Sequence, residues 1–138
     1  MDAGQERVSH PLTALAMLTF SSDAEDVIAH EVRQLTTERC SFRLNGTNVD
    51  VDGYLDHIRG LRAAMTSGDL RVVAELTDGG ASPHRVAGRY VVHMQMHDGA
   101  IVRGESHLIG VLDSEHRIAH LYEIGRIIGD EDGALGTG

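Results

Sequence analysis

Tryptophan is absent from this chain of 138 residues, cysteine and proline are nearly absent, and aromatic residues make up only 4%. One cysteine, Cys40, excludes an internal disulfide and a multi-cysteine zinc site. A nucleophilic thiol would need a lowered pKa, so Cys40 is expected as a small half-buried residue at the start of a strand. Positive charge is scarce: 12 basic against 21 acidic side chains leave a net charge of −9. Phosphate binding needs a basic surface, so nucleic acid is excluded as a partner, and an anionic membrane surface equally. No apolar run approaches the roughly 20 residues of a membrane-spanning helix. The opening "MDAGQERVSHPLTALAMLTF" carries no basic leader of the kind a secretory signal has. The expectation is a cytoplasmic protein without membrane association.

A hydrophobic content of 41% supports a globular core. No repeat or linker divides the chain, which is expected to form one domain over residues 10–128. The segment 129–138, "GDEDGALGTG", is expected to be a flexible acidic, Gly-rich tail. "SSDAEDVIAHEVRQL" begins with capping candidates and acidic residues, then sets Val27, Ile28, Val32 and Leu35 at helical spacing. "PLTALAMLTF" is open between helix and strand. "RCSFRLNG" alternates Cys40, Phe42 and Leu44 against polar neighbours and ends in the turn pair Asn45-Gly46. "VDGYLDHIRGLRAAM" places Tyr54, Ile58, Leu61 and Met65 on one helical stripe, with Gly68 beyond its end. From Leu70 the pattern turns to strand: "LRVVAEL", then "HRVAGRYVVHMQMH" and "AIVRGESHLIGVL" around Asp98-Gly99, then "RIAHLYEIGRII". Helices followed by an antiparallel meander predict an α+β fold with helices over one face of a curved sheet.

Register decides which side chains share a face. A two-residue type I′ turn at Asp98-Gly99 would set Met96 opposite Ile101, Met94 opposite Arg103, Val92 opposite Glu105 and Tyr90 opposite His107. The face holding Val86, Tyr90, Val92 and Met94 is the more apolar, so this register puts Arg103, Glu105 and His107 beneath the helices. There they would need a pocket or mutual pairing. One turn further, His107 would oppose Tyr122 and Ile109 would oppose His120. A one-residue slip would substitute Leu121 and Glu123. The candidate site is therefore Tyr90, Arg103, Glu105, His107, His120 and Tyr122, with Glu123 as the slip alternative and Tyr54 and Met94 as further ligand contacts. The competing reading is a solvated sheet face on which Glu105 and Arg103 pair.

Histidine suits proton transfer near neutrality, its reference pKa being about 6.5. Glu105, two residues away on the same strand face, could orient His107, and Tyr90 and Tyr122 could donate hydrogen bonds to a developing enolate. Catalytic roles are thus expected for His107, Glu105 and Tyr122. No metal is expected. His93 and His97 have zinc-like spacing only on a helix, and on a strand they stand ~13 Å apart. A Glu105–His107–His120 site is the remaining metal alternative. Tyr54 is expected in the core, with His57 and Arg62 solvated near the cavity mouth. Gly79, Gly80, Gly88, Gly104 and Gly110 follow no phosphate-loop pattern and are expected at bends of the sheet.

From about His30 to Ile128 the chain resembles the nuclear-transport-factor-2-like superfamily, in particular its SnoaL-like branch. The resemblance is carried by "SFRLNGTNVDVDGYLDHIRGLR" and "GRYVVHMQMHDGAIVRGESHLIGVLDSEHRIAHLYEIGR". It implies a cone-shaped α+β barrel: a strongly bent antiparallel sheet around N-terminal helices, enclosing a deep apolar cavity. It further implies a homodimer through the sheet's outer face, expected here to carry Ala87, Arg89, Val91, His93 and Gln95 with Val102, Gly104, Ser106 and Leu108. Members include ketosteroid isomerases, polyketide cyclases, scytalone dehydratase and limonene epoxide hydrolase, besides proteins that only bind ligands or partners. Their enzymes mostly use a cavity-facing Asp or His base with Tyr or Asp donors. No Asp falls at a mid-strand position here, which leaves His107 and Glu105. The expected function is a cofactor-independent isomerase, cyclase or dehydratase moving a proton on a small apolar carbonyl compound. The alternative is a non-catalytic ligand-binding or protein-interaction module of the same fold.

Overall fold

The computed structural model describes residues 10–79 and 84–128; the expected tail, 129–138, lies outside them. The stretch left open between helix and strand is helical. Pro11 opens α1 (Pro11–Met17), where its missing N–H costs nothing, and a single 3₁₀ turn (Leu18–Phe20) follows. Helix α2 (Glu25–Leu35) has Glu25 and Asp26 in its first turn, but its N-cap is Ala24, with no side-chain cap bond. Ser21, a capping candidate by sequence, accepts from the Asp23 N–H instead, at 3.0 Å. Helix α3 (Val51–Ala64) is capped by Asp50, whose carboxylate accepts from the Gly53 N–H at 2.8 Å, and it buries Tyr54, Leu55 and Ile58. It runs straight into strand at Met65, so Gly68 is a strand residue rather than a helix stop. A Cβ there would meet Phe20 Cδ1 and Met65 Sδ at 2.9 Å each, which is why the position is bare.

Six strands form one sheet: β1 (Thr36–Leu44), β2 (Thr47–Val49), β3 (Met65–Thr77), β4 (Arg85–Met96), β5 (Ile101–Leu112) and β6 (Ile118–Ile127). Their order is β2-β1-β6-β5-β4-β3, and the sheet is open. The β3–β6 meander is antiparallel as expected, but β1 lies parallel to β6. The architecture is α+β, with a mixed rather than wholly antiparallel sheet. Strand β3 breaks register twice against β4, between Met65 and Ser67 and between Val72 and Ala74.

The β4–β5 hairpin overturns the predicted register. Met96 N–H donates to Ala100 O (2.8 Å) and Gly99 N–H donates to Met96 O (3.0 Å). Gly99 alone of the loop residues His97, Asp98 and Gly99 has positive φ, 92°. A type I′ turn would need it at both central residues; this is a three-residue loop, a type I turn closed by a left-handed glycine. The added residue shifts every pair by one. Val92 opposes Gly104, Val91 opposes Glu105, and Arg89 opposes His107. Arg103, Glu105 and His107 therefore project from the outer face, and Val102, Gly104, Ser106 and Leu108 face the helices.

On the inner face Tyr90 is completely buried, its hydroxyl 2.9 Å from Thr13 Oγ1, and Thr13 also donates to Glu75. Tyr90 lies flat over Gly88, where a Cβ would stand 2.1 Å from the phenol oxygen. This ties α1 to β3 and β4. Arg62, expected in solvent, is 16% exposed instead; it donates to the carbonyls of Leu18, Ser21 and Asp23 and pairs with Glu25 at 2.9 Å. It thereby fixes the turn between α1 and α2.

The left-handed loop residue predicts a specific weakness. Gly99→Ala should destabilise the protein by about 1–2 kcal/mol in urea titration, the cost of a Cβ in that conformation. A loss no larger than that of an exposed helix substitution would show that the loop adopts another turn.

Candidate functional site

A cavity of about 750 Å³ lies between the concave sheet face, the 3₁₀ turn and α3. Its walls are apolar: Leu44, Val49 and Leu61 on one side, Leu70, Val92, Met94, Val102 and Leu108 from the sheet. Few polar groups reach it. Glu123 enters from β6 because Leu108 opposes it and Ile109 opposes Tyr122. Its Oε2 accepts from Ser106 Oγ at 2.9 Å. Gly104, Ser106 and Gly125 keep the floor low on β5 and β6, leaving the space open above them.

Tyr54 borders the cavity from α3. Its ring stacks on Phe42 at 4.2 Å between centroids and 6° between planes, so its direction is fixed by packing. Burial raises the phenol pKa well above its usual range, and the negative charge of Glu123 raises it further, so the hydroxyl stays protonated. Among the described residues no group accepts a hydrogen bond from that hydroxyl. His57, one helical turn on, lies at the mouth, its ring 6.2 Å from that of Tyr54. Asn45 borders the same rim. A carboxylate acceptor and a phenolic donor thus share an apolar chamber.

Of the residues singled out by sequence, Tyr54, Met94, Glu105 and Glu123 border the cavity. Tyr90 lies in the core, committed to Thr13. Arg103, His107, His120 and Tyr122 stand on the outer face by register; His107 and His120 are exposed and Tyr122 is 47% exposed. His120 Nδ1 lies 2.6 Å from Ser41 Oγ there. The expected His107–Tyr122 pair is replaced by His107–Ile124, and the sheet separates His107 from Tyr90 and from the chamber. His107 and His120 share no cross-strand pair, and among the described residues no cluster of His, Cys, Asp and Glu could hold a metal ion.

Glu105 borders the cavity, but its carboxylate is held by Arg89 Nε (3.1 Å) and Arg126 Nε (3.2 Å), which project from the outer face. The hydrogen bond from Arg89 is the main cause that holds its pKa below the ordinary value; burial opposes it and Arg126 adds to it. Two arginines thus clamp this carboxylate. Cys40 is buried and its thiol is pushed up to about 12 by burial, which leaves no thiolate. Among the described residues no helix is long and apolar enough to cross a membrane. Ser106 and Asn45 lie outside the sequence-derived site, whereas His57 stands near the cavity mouth as expected. Ser106 could have been found from the apolar alternation of β5, read without the turn.

No protein-family profile and no curated protein matches the chain. Solved structures do. An NTF2-like protein of unknown function from Exiguobacterium sp. 255-15 superposes with a TM-score of 0.69 at 17% identity, covering 84% of this chain and 98% of that one. IdmH of Streptomyces antibioticus, a candidate polyketide cyclase, gives 0.65 at 18%, covering 83% and 91%. A SnoaL-like polyketide cyclase from Agrobacterium tumefaciens gives 0.62 at 14%, covering 91% and 92%.

The clamp on Glu105 predicts pH-dependent stability. A carboxyl whose folded pKa lies below its ordinary 4.5 stabilises the fold above that value and loses the contribution as pH falls through the folded pKa. Glu105→Gln should therefore be less stable than wild type at about pH 7, and the gap should close on acidification below 4.5. Thermal unfolding across this range would detect it, and a gap that widened in acid would reverse the assignment.

Proposed function

On the nuclear-transport-factor-2-like fold that this chain has, in common with SnoaL-like structures, we propose a cytoplasmic, cofactor-independent enzyme that moves a proton on a small apolar carbonyl compound. The supporting observation is that Glu123 and the Tyr54 phenol border one chamber whose walls are mainly apolar. Ser106 holds Oε2 of Glu123, which leaves Oε1 to take a proton from the carbon beside the carbonyl. The C–H electron pair becomes the new C–C π bond, and the carbonyl π pair moves onto oxygen. Tyr54 donates to that oxygen as its charge develops. Return of the proton to a different carbon gives an isomer. Attack by the enolate carbon on a second carbonyl of the same molecule closes a ring, the new alkoxide taking the proton back from Glu123. Expulsion of a β-hydroxyl by the enolate electron pair gives an alkene, the hydroxyl leaving as water with that proton. The comparison structures support a cyclase- or isomerase-like role in general terms and no particular reaction.

The base in this reading is Glu123, the slip alternative of the sequence argument, and His107 has no part in it. The alternative is a carrier that binds an apolar ligand without turning it over, which the predominantly apolar walls favour. The test is exchange of α-protons in a panel of small apolar ketones and unconjugated enones in deuterated water, read by mass spectrometry. Glu123→Gln should slow exchange by roughly 10²–10⁴ and Tyr54→Phe by roughly 10². Exchange unaffected by Glu123→Gln rejects the assignment; ligand retained through purification without any exchange favours the carrier.

The outer face carries Ile109 (51% exposed), Tyr122 (47%) and Ile124 (68%) side by side across β5 and β6. We propose a second copy of the chain as its cover, giving a homodimer. This face differs from the expected one: it presents Arg103, Glu105 and His107 instead of Val102, Gly104, Ser106 and Leu108. Sedimentation equilibrium should give twice the chain mass for wild type and the single-chain mass for Ile124→Glu. Wild type sedimenting as a single chain at high concentration rejects the dimer.

A further inference from the structure

Strand β1 ends at Leu44, and the next residue, Asn45, has a φ of 50°, followed by 90° at Gly46. These are the left-handed residues of the two-residue turn that pairs Leu44 with Thr47. The turn explains why an asparagine is tolerated at position 45. It does not explain where the side chain goes. The Asn45 backbone N–H donates to Glu123 O at 2.9 Å, and Asn45 Oδ1 accepts from the Gly125 N–H at 2.8 Å. That second bond lies past the last parallel pair, Leu44–Glu123. An asparagine side chain thus continues the ladder one step after the backbone of β1 has turned away. Asn45 grips β6 at the Glu123 carbonyl and at the Gly125 N–H.

The same two groups converge over Gly125. A Cβ built there would stand 4.0 Å from Asn45 Nδ2 and 4.0 Å from Glu123 Oε2. Without the side-chain bond, the backbone after Glu123 would lose its anchor to β1 just where the carboxylate enters the cavity. We propose that Asn45 is a positioning residue for Glu123: by gripping β6 at residues 123 and 125 it fixes the direction in which the carboxylate points. The consequence for turnover rests on the reading of Glu123 as the base, since misplacement by an ångström is enough to slow a proton transfer substantially.

Two variants separate the side chain from the turn. Asn45→Gly keeps the left-handed conformation and removes the amide; Asn45→Asp keeps the accepting oxygen. Asn45→Gly should fold, lose protection of the Gly125 amide against hydrogen exchange by about tenfold or more, and move the ¹³C signal of the Glu123 carboxyl. In the ketone assay its kcat should fall about tenfold with KM nearly unchanged. Asn45→Asp should keep Gly125 protected. The proposal is overturned if Asn45→Gly leaves Gly125 protected, or exposes Gly125 while leaving the Glu123 carboxyl signal where it was. If wild type exchanges no ketone proton, the reading of Glu123 as a base fails by itself, and the two resonance measurements still decide the role of Asn45.

Discussion

One residue of loop length between β4 and β5 governs what this protein presents to its cavity. The glycine at position 99 closes a three-residue loop, and strand side chains alternate with a period of two. A loop shorter by one would send Arg103, Glu105 and His107 under the helices and turn Leu108 to the outside. The observed loop puts the charges where arginines from the flanking strands can meet them. Glu105 is bound by Arg89 of β4 and Arg126 of β6, so one carboxylate stitches three strands together on the outer face. On the concave face two carboxylates then stand apart, Glu75 bound by Thr13 beneath α1 and Glu123 in the cavity. Packing and site chemistry both follow from that sorting.

The inner face is built by subtraction as much as by filling. Gly88 admits the Tyr90 ring, and Gly110 admits Leu12, whose Cδ2 would be 2.9 Å from a Cβ there. Both contacts seat α1 at the closed end of the sheet. At the other end Gly104, Ser106 and Gly125 carry little or no side chain, and the space they leave is the cavity. The same device, small residues on strands, makes close helix contact at one end and an empty chamber at the other.

Much of this was legible from the residues. The α+β order, α3 with its Tyr54 stripe, the Asn45-Gly46 turn and the strand spans near 85–127 all came from periodicity and turn chemistry. The register did not, because Asp-Gly suits both a two-residue type I′ loop and the last two positions of a type I turn closed by glycine. The plain alternation of β5 held the correct answer: Val102, Gly104, Ser106, Leu108 and Gly110 form the inward set, and the charged residues between them the outward one. A type I′ turn at Asp98-Gly99 contradicts that alternation, and it is the turn that brings His107 to the inner face in the sequence reading. The parallel β1–β6 pairing was also out of reach, since it joins segments about 80 residues apart with no local trace, and it is this pairing that brings Asn45 to Glu123.

Among the described residues the open sheet has two margins, and their treatment differs. At one margin β2 is only three residues long. At the other β3 runs for 13 residues with β4 as its one strand neighbour among the described residues, and it exposes Val72, Val73 and Leu76. A straight, apolar strand of that length with unpaired backbone groups is a template on which a foreign strand can add, the first step toward fibrous aggregation. The two breaks in β3 register deny such a strand a continuous run of partners. The exposed Asp69, Arg71 and Glu75 set charge at intervals along the same edge. The irregularity of β3 therefore acts on what the molecule avoids: it lets a long strand wrap the helices without leaving a margin that recruits its own kind.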